Sequence, residues 1–136
     1  MHLAVDQGSG LVRQAILTPA NVSDKVAFLD LIQGDERAVY ADKGYDGWWY
    51  RGELAARGVA DGIMAGDYWR RRLDATDHAR NRVIGRIRAS VERSFAILKR
   101  WYGYRRVRYR SLVKNALQLQ LLAVALNLRR ALALTA

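Results

Sequence analysis

Arg88, Glu92 and Lys99 are spaced four and seven residues apart in Arg88-Ala-Ser-Val-Glu-Arg-Ser-Phe-Ala-Ile-Leu-Lys99, which stacks them on one stripe of an α-helix. Ile84, Ile87, Val91, Phe95 and Leu98 fall on a neighbouring stripe, so the charged trio borders the face that packing must bury. An acid held there between cations has two uses. It can help hold a metal ion or a phosphate, or it can form an ordinary intrahelical ion pair with Arg88, worth about 0.3–0.5 kcal/mol. The second acid is Asp42, which closes the run Ala38-Val-Tyr-Ala-Asp42. Strand ends are where open α/β sheets place their sites, although an acid there can equally cap the turn at Gly44. Carboxylates converging from a strand end and a helix would hold Mg²⁺ or Mn²⁺, which prefer oxygen ligands. A pair of such ions activates an attacking hydroxyl and stabilises a leaving oxygen, which is phosphodiester chemistry. Arg88 and Lys99 would bind phosphate beside it, Arg through its fork and Lys as a point charge. Asp6, Asp24 and Asp46 read as turn or cap residues. Gly8-Ser9-Gly10 lacks the lysine of a phosphate-binding loop, and no Ser/His/Asp motif is present.

The elements that must position these residues follow from periodicity and turn chemistry. Residues 2–6 and 11–18 read as a hairpin around Gln7-Gly-Ser-Gly10. Asn21 or Ser23 would cap a helix over about 24–32, closed by Gly34. Residues 38–42 form a buried strand, 48–57 a helix and 58–64 another strand, completing the order ββαβαβ. A long helix begins at Asp74 or Thr76, carries Glu92 and runs to about Trp101, where Gly103 stops it. Residues 112–132 form a last helix, apolar on most sides, which Gln118, Gln120 and Asn127 mark as a core helix rather than a membrane span.

The 136 residues are 51% hydrophobic, enough for one domain with a real core. With no cysteine and only His2 and His78, thiolate and histidine-rich metal sites are excluded, so any metal takes oxygen ligands. No secretory signal opens the chain, so the expected compartment is the cytoplasm. The net charge of +10 is uneven: residues 1–69 carry six Lys/Arg against ten acids, and residues 70–136 carry seventeen against three. Such a half fits a polyanion, above all nucleic acid. The plainer reading is a solvated basic surface. Residues 102–110, dense in Tyr and Arg, can stack on bases or grip phosphates, or serve as a basic loop only.

The blocks Val5-Asp-Gln-Gly-Ser-Gly-Leu-Val12, Thr18-Pro-Ala-Asn-Val-Ser-Asp24, Tyr40-Ala-Asp-Lys-Gly-Tyr-Asp46, Asn81-Arg82, Arg88-Ala-Ser-Val-Glu-Arg-Ser-Phe95, Leu98-Lys-Arg-Trp-Tyr-Gly103 and Arg108-Tyr-Arg-Ser-Leu112 span nearly the whole chain. Their order and spacing resemble the DDE transposases of bacterial insertion sequences, in the insertion sequence five branch of the insertion sequence four superfamily. The resemblance implies a ribonuclease-H-like fold in which three acids bind two Mg²⁺ (or Mn²⁺) ions, Asp42 matching the second and Glu92 the third. It places Arg88, Glu92 and Lys99 in the family's Tyr-Arg-Glu-Lys signature. It also implies a bacterial, nucleoid-associated protein that cleaves DNA at transposon ends and joins the freed 3′-hydroxyl to target DNA. Arg88, Arg93, Lys99, Arg100, Arg105 and Arg106 are the candidate DNA-binding cations.

Two departures qualify that expectation. Gly85 stands where the signature tyrosine is expected. The first block matches the family's second strand, so the first central strand, its catalytic acid and an N-terminal DNA-binding region are expected upstream of it. The expected architecture is therefore α/β, a partial ribonuclease-H-like fold of ββαβαβ and two C-terminal helices with the first central strand missing. Residues 1–136 would be a single C-terminal part of a catalytic domain, strand-rich over 1–69 and basic and helical over 70–136. Its expected partners are DNA and either a second copy or a chain supplying the N-terminal part, with no membrane. Enzyme activity of this chain by itself is left open, the other reading being a non-catalytic nucleic-acid-binding protein derived from a transposase.

Overall fold

The computed structural model describes residues 1–23, 25–68 and 71–136. The chain is mixed α/β and divides into two compact units, residues 1–32 with 90–136 and residues 33–89. These units cross-cut the two charge halves of the sequence.

The first unit opens with a hairpin. β1 (His2–Val5) and β2 (Val12–Ile16) pair antiparallel with Leu3 opposite Ala15, and a bulge falls between Ala4 and Val5. Asp6 shapes the turn: its Oδ2 accepts from both the amide and the hydroxyl of Ser9 at 2.7 Å, and Gly10 takes φ +72°, which only glycine adopts readily. These bonds to Ser9 outweigh burial and hold the Asp6 carboxyl below its ordinary pKa. After β2 the helix expected over 24–32 is not formed. Val26, Phe28, Leu31 and Ile32 donate to carbonyls three residues back, and among the described residues the helical turn here is the 3₁₀ segment Leu29–Leu31. Burial explains the difference: the two side chains taken into the interior, Ala27 and Phe28, are adjacent, while Val26 is exposed. Two adjacent buried side chains make only a short apolar contact, and so short a segment does not hold itself helical without a wider packed face. Asp24, the expected first residue, lies outside the described residues.

α3 (Leu112–Thr135) packs on the hairpin through Leu119, Ala123 and Leu126, which join Leu3, Val12, Ala15, Leu98 and Tyr104 in the core. Its amides fasten it to β2. Asn127 exchanges two bonds with the Val12 backbone, at 2.7 and 2.8 Å, and Gln120 donates to the Ala15 carbonyl at 2.6 Å. The backbone groups of an edge strand are thereby covered. By length and composition α3 is long and apolar enough to cross a membrane. The expected core helix is found on one face only: Val113, Leu117, Leu121, Val124, Leu128 and Leu132 are exposed.

The second unit is a strand–helix–strand. β3 (Ala38–Ala41) and β4 (Ala60–Ile63) pair parallel, Tyr40 beside Gly62, and α1 (Trp48–Ala56) connects them. Gly58, at φ +69°, ends α1 by donating to the Ala55 carbonyl, and Val59 donates to that of Leu54. Leu54, Val59, Ile63 and Ile84 are buried. Among the described residues the four strands thus form two separate two-stranded sheets. α2 (Ala75–Arg100) is one unbroken helix whose residues to Ala89 belong to this unit and whose remainder belongs to the first.

Candidate functional site

Asp42 directly follows β3 with its backbone extended, and its Oδ1 accepts from the Lys43 amide at 2.7 Å, capping the 3₁₀ turn Lys43–Tyr45. The cap does not enclose the carboxylate, which keeps 49% of its side-chain surface. Arg88 comes to it from α2: Nη1 lies 3.8 Å from Asp42 Oδ1, with the Arg88 side chain only 20% exposed. Arg88 also rests 4.0 Å from the Met64 sulfur, and Gly85, one turn earlier, faces the end of the same Met64 side chain.

The neighbouring side chains fix this meeting. Asn81 forms a two-way amide pair with Ala65, both bonds 2.8 Å, and Arg80 donates to the carbonyls of Ile63 at 2.6 Å and Asp61 at 2.9 Å. Together they lock the rotation of α2 against the end of β4. Asn81 and Arg88, seven residues apart, share a helical stripe, so the lock at Asn81 points Arg88 at Asp42. Asp46 is a buried hub rather than a simple turn residue. Its side chain, 7% exposed, accepts from Arg51 at 2.8 and 3.0 Å and from the Gly66 amide at 2.7 Å, with Arg71 at 3.8 Å. Burial alone would raise its pKa, but the Gly66 amide and the Arg51 guanidinium outweigh it and leave the carboxyl below its ordinary range. Arg51 also pairs with Asp61. Sequence reasoning missed this cluster, whose members lie on separate elements and share no helical or strand period.

Glu92 lies one turn beyond Arg88, exposed, and among the described residues no ion pair joins the two. The plain intrahelical bridge is therefore not made. Asp42 and Glu92 fall in different units. Arg93, Lys99, Arg100, Arg105 and Arg106 are all exposed and, among the described residues, none pairs with an acid. Lys99 lies 6.0 Å over the Phe95 ring, and its carbonyl accepts from Arg105 Nε at 3.3 Å. The uncompensated cations at the end of α2 and beyond it are suited to meeting phosphates.

A family model described as a transposase DDE domain matches residues 1–128. The chain belongs to that family. Membership makes this transposase domain part of DNA transposition and its partner DNA. No solved structure matches this chain.

DDE transposases use divalent metal ions. Among the described residues no group of three or more His, Asp or Glu side chains converges where an ion could be held, and Asp42 has a guanidinium rather than a second carboxylate beside it. These residues alone do not fit a two-metal centre.

Proposed function

We infer that this transposase domain supplies the second and third carboxylates, Asp42 and Glu92, of a ribonuclease-H-like catalytic centre of the insertion sequence five branch. The observation that carries this reading is the Arg88–Asp42 contact, in which a half-exposed strand-end acid meets the cation on the stripe of α2 that also bears Glu92. The reaction is cleavage of a phosphodiester at a transposon end, water displacing the 3′-oxygen, followed by attack of that 3′-hydroxyl on a target phosphorus with release of the target strand's 3′-oxygen. Arg88 binds phosphate beside the reacting group, and Arg93, Lys99, Arg100, Arg105 and Arg106 hold the flanking backbone. Two carboxylates fall short of the set that holds a pair of Mg²⁺ or Mn²⁺ ions, so the first acid comes from sequence outside residues 1–136 or from another chain. The setting is the bacterial cytoplasm, at the nucleoid, with at least two copies to join two ends.

The absence, among the described residues, of a three-acid cluster favours a second reading, a DNA-binding protein without catalysis. A nicking and strand-transfer assay on end-containing DNA with Mg²⁺ decides between them. Asp42→Asn and Glu92→Gln should each lower activity by more than the ~10–100-fold typical of losing an outer partner of a metal ligand, with DNA affinity retained. Activity that survives both substitutions overturns the catalytic assignment. Salt-sensitive binding with no nicking at any Mg²⁺ concentration, even when the sequence or chain carrying the first acid is supplied, establishes the second reading.

A further inference from the structure

We propose that Asn115 is a positioning residue that pre-forms residues 105–110 into a DNA-phosphate-binding loop, a role that rests on the DNA-binding reading of the basic half. Gly103, at φ +65°, ends α2, and Tyr104 turns inward, its amide donating to the Leu98 carbonyl at 2.9 Å and its hydroxyl to the Asn115 carbonyl at 3.4 Å. Asn115 itself, in the first turn of α3, is 3% exposed. Its Oδ1 accepts from the amides of Arg108 and Tyr109 at 3.1 and 3.0 Å, and its Nδ2 donates to the carbonyls of Tyr109 and Ser111 at 2.5 and 2.9 Å. Three of the four bonds of the side-chain amide are thus spent on this loop, and the fourth on Ser111, which caps α3.

That arrangement does more than reverse the chain. Arg105, Arg106, Arg108 and Arg110 all stand exposed on the segment, and among the described residues no acid pairs with them. Four guanidinium groups in six residues repel one another, and an unheld loop of this kind would splay. A buried amide is costly unless satisfied and gains most when fully paired. Here it holds like charges together, an arrangement whose strain a polyanion relieves. A loop ordered before binding also spares the ordering entropy that weakens association. Four cations on one backbone-fixed segment suit successive phosphates of one strand rather than a single anion.

The test is the affinity of the full chain for a duplex oligonucleotide across a salt series. Asn115→Ala should weaken binding about 10-fold and flatten the salt slope by one to two phosphate contacts. Gln120→Ala removes a bond of the same helix to β2 without touching the loop, and should lower thermal stability while leaving that slope unchanged. A variant with Arg105, Arg106, Arg108 and Arg110 changed to Gln should lose nothing more when Asn115→Ala is added, because the two changes act through one loop. Full additivity, or an unchanged slope in Asn115→Ala, overturns the proposal. Should Asn115→Ala not fold, hydrogen exchange in the wild-type chain free of DNA decides: slow exchange at the Arg108 and Tyr109 amides supports the clamp, and fast exchange overturns it. A wild-type chain with no salt-dependent DNA binding sinks the underlying reading instead.

Discussion

Burial resists ionisation of Asp46, while the Gly66 amide and the Arg51 guanidinium favour it more strongly. Its folded pKa therefore lies below the ordinary 3.8. A depressed carboxyl contributes stability that is fully present above the unfolded value and lost as pH falls through the folded one. Acid unfolding below about pH 4 should be steeper in the wild type than in Asp46→Asn. At neutral pH that substitution should cost about 1–3 kcal/mol, since Arg51 keeps Asp61 as a second partner. Chemical denaturation at several pH values measures both. The sequence marked Asp42 by its place at the end of an apolar run, and its capping of the following turn was legible too. Asp46 looked the same on paper, since neither Arg51 nor Gly66 advertises a partnership that only the fold creates.

At the scale of elements, the long helices were legible because each buries residues at helical spacing, Ile84 and Leu98 on α2 and Leu119, Ala123 and Leu126 on α3, and the short strands because turn residues bound their apolar runs. The hairpin, the βαβ passage, α2 and α3 all lie where alternation, caps and glycines place them. The segment 24–32 failed because its apolar residues suit a helix by composition, whereas its buried pair is consecutive. The helical stripe of Arg88 and Glu92 was read correctly as a stripe, but its cation turned to Asp42, a partner forty-six residues away that spacing cannot reveal. What aims the stripe is Asn81. Asn81→Ala should leave the Ala65 amide and carbonyl without partners, destabilise the chain by about 1–3 kcal/mol and loosen Arg88 from Asp42. The loss is measurable by denaturation. The loosening should appear as a reduced coupling energy in an Asp42→Asn/Arg88→Gln double-mutant cycle performed in the Asn81→Ala background.

For the whole molecule, two properties act on the same solution variable. The net charge of +10 drives copies of the chain apart, and the exposed row of Val113, Leu117, Leu121, Val124 and Leu128 on α3 draws apolar surfaces together. Salt screens the first and leaves the second intact. Raising ionic strength should thus release DNA by counterion return while lowering the repulsion that keeps the free chain dispersed. A salt titration of DNA binding then reports two losses at once, and its slope should exceed the number of phosphates the cations cover. Light scattering without DNA should show mass growing as salt rises toward 1 M. In a Leu121→Lys/Leu128→Lys double variant the growth should vanish and the binding slope should fall to the value set by phosphate contacts alone.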